Sequence, residues 1–111
     1  MRSNAKSPRR ATRKLGYRTF DVADYLDSPA MRATYLDVWL QDNPEDSAGI
    51  ARALGDIARA SGMTDVAKAS GLSRESLYRA LSDDGNPSFA TILRVTKALG
   101  IQLRAVTAGS N

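Results

Sequence analysis

The stretch MTDVAKASGLSRESLYRAL, residues 63–81, decides the fold. Its apolar residues recur at helical spacing on both sides of Gly71, which predicts two short helices joined by a sharp turn. Such a crossing needs a small residue at the contact and a glycine where the chain reverses, and Ala67 and Gly71 stand at those points. Leu72 and Leu77 are placed to pin the second helix to the first, with Val66 and Ala80 below them. That leaves Arg74, Glu75, Tyr78 and Arg79 pointing outward. Thr64 is the expected cap of the first helix and Ser73 of the second, each hydroxyl accepting from amides that have no helical partner. The pattern reads as a helix-turn-helix, whose second helix enters the major groove of DNA. The competing reading is an ordinary helical hairpin within a core.

Upstream, residues 17–26 (YRTFDVADYL) suit an extended entry followed by a helical turn. Ser28-Pro29 starts the next helix, because a first-turn proline lacks only a hydrogen that would be unpaired anyway. Within residues 30–41, Met31, Tyr35, Val38 and Trp39 form one stripe and Leu36 and Leu40 widen it. Such a helix is either sandwiched in the core or turns its surplus face to a partner. Asn43 is expected to cap the following helix with Pro44 in first position, Ile50, Leu54, Ile57 and Ala58 as its core stripe, and Gly62 as its stop. Alanines at 48, 51, 53 and 60 allow close approach of neighbours.

Downstream, residues 82–87 (SDDGNP) are a run of turn formers. Ser88 caps a last helix with Phe89, Ile92, Leu93, Thr96 and Leu99 on one face and Gly100 at its end. Residues 101–106 alternate, with Ile101, Leu103 and Ala105 on one side and Gln102 and Arg104 on the other, which predicts a short strand. A lone strand must pair either with the extended N-terminal segment or with its counterpart in a second subunit, and the latter gives a two-fold dimer through Ile101, Leu103 and Ala105. The expected fold is mainly α, a five-helix domain over residues 19–107 with a short C-terminal β-strand.

Composition narrows the function classes. The 111 residues suit one domain, and 42% hydrophobic content supplies a modest core. No apolar run approaches the roughly 20 residues that cross a bilayer, so no membrane partner is expected and the protein reads as cytoplasmic. Neither cysteine nor histidine is present, which removes disulfides, thiolate nucleophiles, the usual zinc ligands and the commonest general base. No metal, cofactor or catalytic residue is therefore expected. The acid pairs Glu45-Asp46 and Asp83-Asp84 are explained by caps and turns. The net charge of +4 is asymmetric: residues 1–18 hold seven bases and no acid. This arm is either a disordered, solvated tail or an electrostatic aid to nucleic-acid binding.

Residues 54–103, LGDIARASGMTDVAKASGLSRESLYRALSDDGNPSFATILRVTKALGIQL, resemble the antidote proteins of bacterial addiction modules, HigA-like antitoxins within the phage-repressor-like (Xre/Cro type) helix-turn-helix class. FDVADYL at 20–26 is similar to the usual opening of that family, so the resemblance spans about residues 19–106 and leaves the basic arm outside. It implies a protein encoded beside a small toxin of the ribonuclease or gyrase-poisoning type. Such a protein binds and neutralises the toxin and represses its own operon as a homodimer. With Thr64 as cap, the first motif helix is shorter than in many phage repressors. A solitary regulator without a toxin is the alternative.

The residues expected to meet double-stranded DNA at the protein's own operator are Ser73, Arg74, Glu75, Ser76, Tyr78, Arg79 and Ser82. Ser73 and the first amides of its helix are expected to hold a phosphate, while Arg74, Tyr78 and Arg79 face base edges. Tyr78 packing at the turn is the other reading of that ring. Glu75 can accept from cytosine, repel phosphate, or pair with Arg79 one turn on. Two half-sites about 34 Å apart are expected. Toxin contact is assigned to Phe20, Tyr25, Leu26, Tyr35, Leu36 and Trp39, which exceed one packing stripe, although the same residues could all be core.

Overall fold

The computed structural model describes residues 22–82 and 84–109. The basic arm and Phe20 lie outside the described residues. The chain forms a single helical turn, α1 (Val22–Tyr25), and five helices: α2 (Pro29–Asp42), α3 (Ser47–Ser61), α4 (Met63–Ser70), α5 (Arg74–Ala80) and α6 (Phe89–Ala98). No strand is present among the described residues.

The central element is α3, against which α1, α2 and α4 pack, while α4 in turn carries α5 and α6. The core runs through Leu26, Leu36, Leu54, Ile57, Val66, Leu77 and Val95. Ala51, Ala53 and Ala58 are fully enclosed on α3, where small side chains let neighbouring backbones come close. Gly55 has the same use, since a Cβ there would lie 2.9 Å from the carbonyl oxygen of Leu81 at the end of α5.

Two capping expectations are corrected. Helix α2 runs on to Asp42, so Asn43 ends it by donating its N–H to the carbonyl of Trp39, and the cap of α3 is Asp46, whose carboxylate accepts from Gly49 N–H at 2.9 Å. An acid at this position also meets the positive end of the helix dipole. Helix α4 begins one residue before Thr64, with Gly62 at its cap position and no side-chain cap bond. Gly62, at φ 105°, thus ends α3 and starts α4 with no loop between them. The caps at Ser73 and Ser88 form as expected, and Ser28 caps α2 in the same way, each hydroxyl accepting from the amide three residues on.

Two stripes are shifted from the expected phase. On α2 the buried residue is Leu36, flanked by half-buried Tyr35 and Trp39, while Val38 is 47% exposed because α2 rests on α3 along one side. On α6 the inward residues are Ile92, Val95, Thr96 and Leu99, and Phe89 and Leu93 stand out at 69% and 46% exposure. Thr96 is accommodated by donating its hydroxyl back to the carbonyls of Ile92 and Leu93.

The expected strand at 101–106 is not formed among the described residues. After Gly100, at φ 73°, Ile101 folds back with its N–H on Thr96 O at 2.9 Å and packs on the core. Residues 102–106 then run on without any backbone–backbone hydrogen bond among the described residues. A strand exists only as one side of a ladder, and the described part of this chain supplies no second side.

Candidate nucleic-acid interface

Helix α4 closes in a double bond at the turn: Gly71 N–H reaches Lys68 O at 3.3 Å and Leu72 N–H reaches Ala67 O at 3.1 Å. This pattern requires a left-handed residue, and Gly71 supplies it at φ 78°. Leu72 then turns inward onto the core, as the sequence requires of the residue after such a glycine. Ser73 is extended and caps α5 through Ser76 N–H at 3.0 Å.

Helix α5 is anchored by a single fully buried side chain, Leu77, with Ala80 partly enclosed beside it. Arg74, Glu75, Tyr78 and Arg79 are exposed, as the pattern predicts, and Ser76 is half-buried. The outer residues form two internal pairs. Arg74 donates to the Tyr78 hydroxyl at 3.3 Å with its guanidinium 5.6 Å from the ring centre, so the ring is a platform under the cation rather than a wedge at the turn. Arg79 lies 3.9 Å from the Glu75 carboxylate, one helical turn back, with both groups largely in solvent. Exposed pairs of this kind are held weakly and can be exchanged for other partners.

Ser82 is spent locally, donating to Arg79 O at 3.0 Å, while its carbonyl accepts from Gly85 N–H at 2.9 Å to close the turn after α5. Arg94 is a cation that the sequence pattern did not single out. It sits on α6, and its Nη2 lies 3.6 Å from where a Cβ of Gly71 would be, beside the turn that leads into α5. Lys68, on the last turn of α4, adds a further exposed base. Nothing in the spacing of α6 marks Arg94, because its position depends on how α6 crosses α4.

The remaining expected site residues divide. Leu26 and Leu36 are core side chains, at 0% and 3% exposure, and present no surface. Tyr25 is exposed, and Tyr35 and Trp39 are half-buried along α2. Tyr35 donates its hydroxyl to Asp56 Oδ2 at 2.8 Å, and Arg52 stands 5.6 Å from the Trp39 ring centre, so both aromatics face α3 on one edge and solvent on the other. Burial, and then the bond to Asp56, raise the Tyr35 hydroxyl above the usual tyrosine range. Ile101 is half-buried, and Leu103 and Ala105 are exposed.

Charge is unevenly spread along the sequence. Residues 22–48 hold six acids against one base, and residues 49–109 hold eight bases against five acids. No helix among the described residues is long and apolar enough to cross a membrane.

A family model described as "probable addiction module antidote protein" matches residues 16–107. The chain is also 47% identical over 85 residues to a Haemophilus influenzae protein described as uncharacterized, an alignment covering 77% of this chain and 86% of that one. No solved structure matches. The family match takes in every described helix, from α1 to α6, together with the segment that follows them, and on that basis the chain belongs to the family of probable addiction module antidote proteins.

Proposed function

We propose that this protein is a DNA-binding antitoxin of a toxin–antitoxin module, a regulator that represses its own operon as a dimer and neutralises a small toxin of the ribonuclease or gyrase-poisoning type. The observation that carries the DNA reading is the exposed face of α5, where Arg74, Glu75, Tyr78 and Arg79 stand together on a helix held to α4 by Leu77 and the Gly71 turn. Helices α4 and α5 then act as a helix-turn-helix of the phage-repressor-like type, with α5 in the major groove.

On DNA, Arg79 leaves Glu75 and Arg74 leaves the Tyr78 ring, each for a base edge or phosphate. Glu75 is then available to accept from a cytosine amine. Ser73, Ser76 and Ser82 border that face, and Lys68 and Arg94 add phosphate contacts around the turn. Each good bidentate contact discriminates by about 1–3 kcal/mol. One such face is too small for an operator at cellular salt, which is why two copies reading half-sites about 34 Å apart are required.

The toxin reading is supported by membership of the antidote family and by the aromatic side chains along α1 and α2. Tyr25, Tyr35 and Trp39 form the docking edge, and the acidic character of residues 22–48 favours a basic partner.

A gel shift with the promoter DNA upstream of the protein's own gene, run at two salt concentrations and followed by footprinting, tests this. The expected result is a symmetric footprint whose affinity falls steeply with salt. Equal affinity for unrelated DNA, or a footprint with no symmetry, rejects it.

A further inference from the structure

We propose that the groove between α2 and the C-terminal segment is the seat of a second copy of this chain, joined by crossed contacts between Asp37 of each copy and Arg104 of the other. The inference rests on the dimer reading above and assigns the surface that forms it. The groove has a volume of about 370 Å³, with Leu40, Leu103 and Val106 as its apolar edge above the buried Leu36. Leu40 and Leu103 are more than a third exposed and Val106 is 88% exposed, an apolar edge left to solvent in the single chain.

Three observations select a copy of the same chain. First, residues 102–106 present main-chain donors and acceptors that are unused among the described residues, and an antiparallel pair of identical segments satisfies both at once about a two-fold axis. Second, the groove carries one acid and one base, Asp37 and Arg104. Among the described residues Arg104 makes no ion pair or hydrogen bond, and Asp37 accepts only from the amide of Gln41, its neighbour on α2. A two-fold axis makes such a pair complementary twice over, because residue i meets j and j meets i. Third, the hollow on the other side of the segment, lined by Leu93, Thr96, Lys97 and residues 100–103, carries a lysine and, among the described residues, no acid. A two-fold copy placed there would oppose like charges.

The test is the mass of the full chain in solution, by light scattering after gel filtration, for the wild type, D37R, R104D and an equal mixture of the two variants. The wild type is expected to be dimeric. Each variant alone opposes like charges at both crossed contacts, so its dimer dissociation constant rises by at least about tenfold. The mixture restores opposite charges at both contacts and regains the dimer mass, which a contact within one chain cannot produce. Both substitutions are at exposed positions, and unchanged circular dichroism checks the fold. Variants that dimerise like the wild type, or a mixture that stays monomeric, overturn this surface while leaving a dimer by another route standing. A monomeric wild type, with the groove left to the chain's own N-terminal segment or to a partner protein, overturns both this surface and the dimer reading.

Discussion

The Tyr35 hydroxyl donates to Asp56 Oδ2 at 2.8 Å and so joins α2 to α3 across 21 residues of sequence. It is a charge-assisted bond at a half-buried site, and its removal leaves Asp56 with Arg59 as its remaining partner. Tyr35→Phe is expected to lower stability by about 1 kcal/mol, measured by urea unfolding at neutral pH. Because the Tyr35 hydroxyl titrates above the usual tyrosine value of about 10, its contribution is present throughout the neutral range. It begins to be lost only as the pH climbs past that value, and the difference between wild type and Tyr35→Phe should close above it, once the pH has passed the raised folded-state value.

Gly71 adopts φ 78° with Arg94 beside it. Gly71→Ala must hold a side chain in the left-handed region, at a cost of about 1–2 kcal/mol. The expected outcome is a lowered melting temperature together with weaker DNA binding, since the turn sets the direction of α5. A melting temperature equal to that of the wild type would contradict the turn geometry.

Leu77 is the fully buried side chain of α5. Leu77→Ala is expected to cost about 2–5 kcal/mol, the range for emptying a core leucine site. Hydrogen exchange should show α5 amides losing protection before those of α3, because α5 itself buries only Leu77, with Leu81 following at its end, whereas α3 buries seven residues along its length.

Arg74→Ala and Arg79→Ala are expected to weaken binding to the operator by about 1–3 kcal/mol each where a base contact is lost. Arg94→Ala, acting through phosphate, should weaken binding to all sequences alike and reduce the salt slope by about 1. Glu75→Gln releases Arg79 from its ion pair and should raise affinity for unrelated DNA. Titrations of the four variants at several salt concentrations separate these outcomes.

Trp39→Ala removes a ring whose inner edge meets Gly49 and whose face meets Arg52. Co-purification with the product of the neighbouring gene should fall while the fold, checked by circular dichroism, persists. Retention of the partner by a folded variant would remove Trp39 from the docking edge.

The elements whose signals are local were legible in the sequence. Ser73 and Ser88 cap helices because a hydroxyl beside free amides has one obvious use, and Gly62, Gly71 and Gly100 stop helices because each is needed at positive φ. The exposed face of α5 could be read for the same reason, since in two turns of helix the side that Leu77 faces is fixed by its spacing from its neighbours. What failed was tertiary. Asn43-Pro44 resembled a helix start, yet α2 extends to Asp42 and the better cap, Asp46, takes the role three residues later. Phe89 and Leu93 looked inward by periodicity, but α6 crosses α4 at a phase that buries Val95 instead. The alternation at 101–106 forms no strand among the described residues, because a strand exists only against a second one. Arg94 escaped notice because its value depends on where another helix ends.

The joint at Gly62 has a consequence for what length changes the chain tolerates. One residue serves as the last of one rod and the first of the next, so this corner has no slack. A single inserted residue that continued either helix would swing all that follows by about 100°, carrying the α5 arginines off their side of the molecule. Insertions and deletions should therefore be accepted at residues 44–45 and 86–87, between the caps, and rejected at this corner.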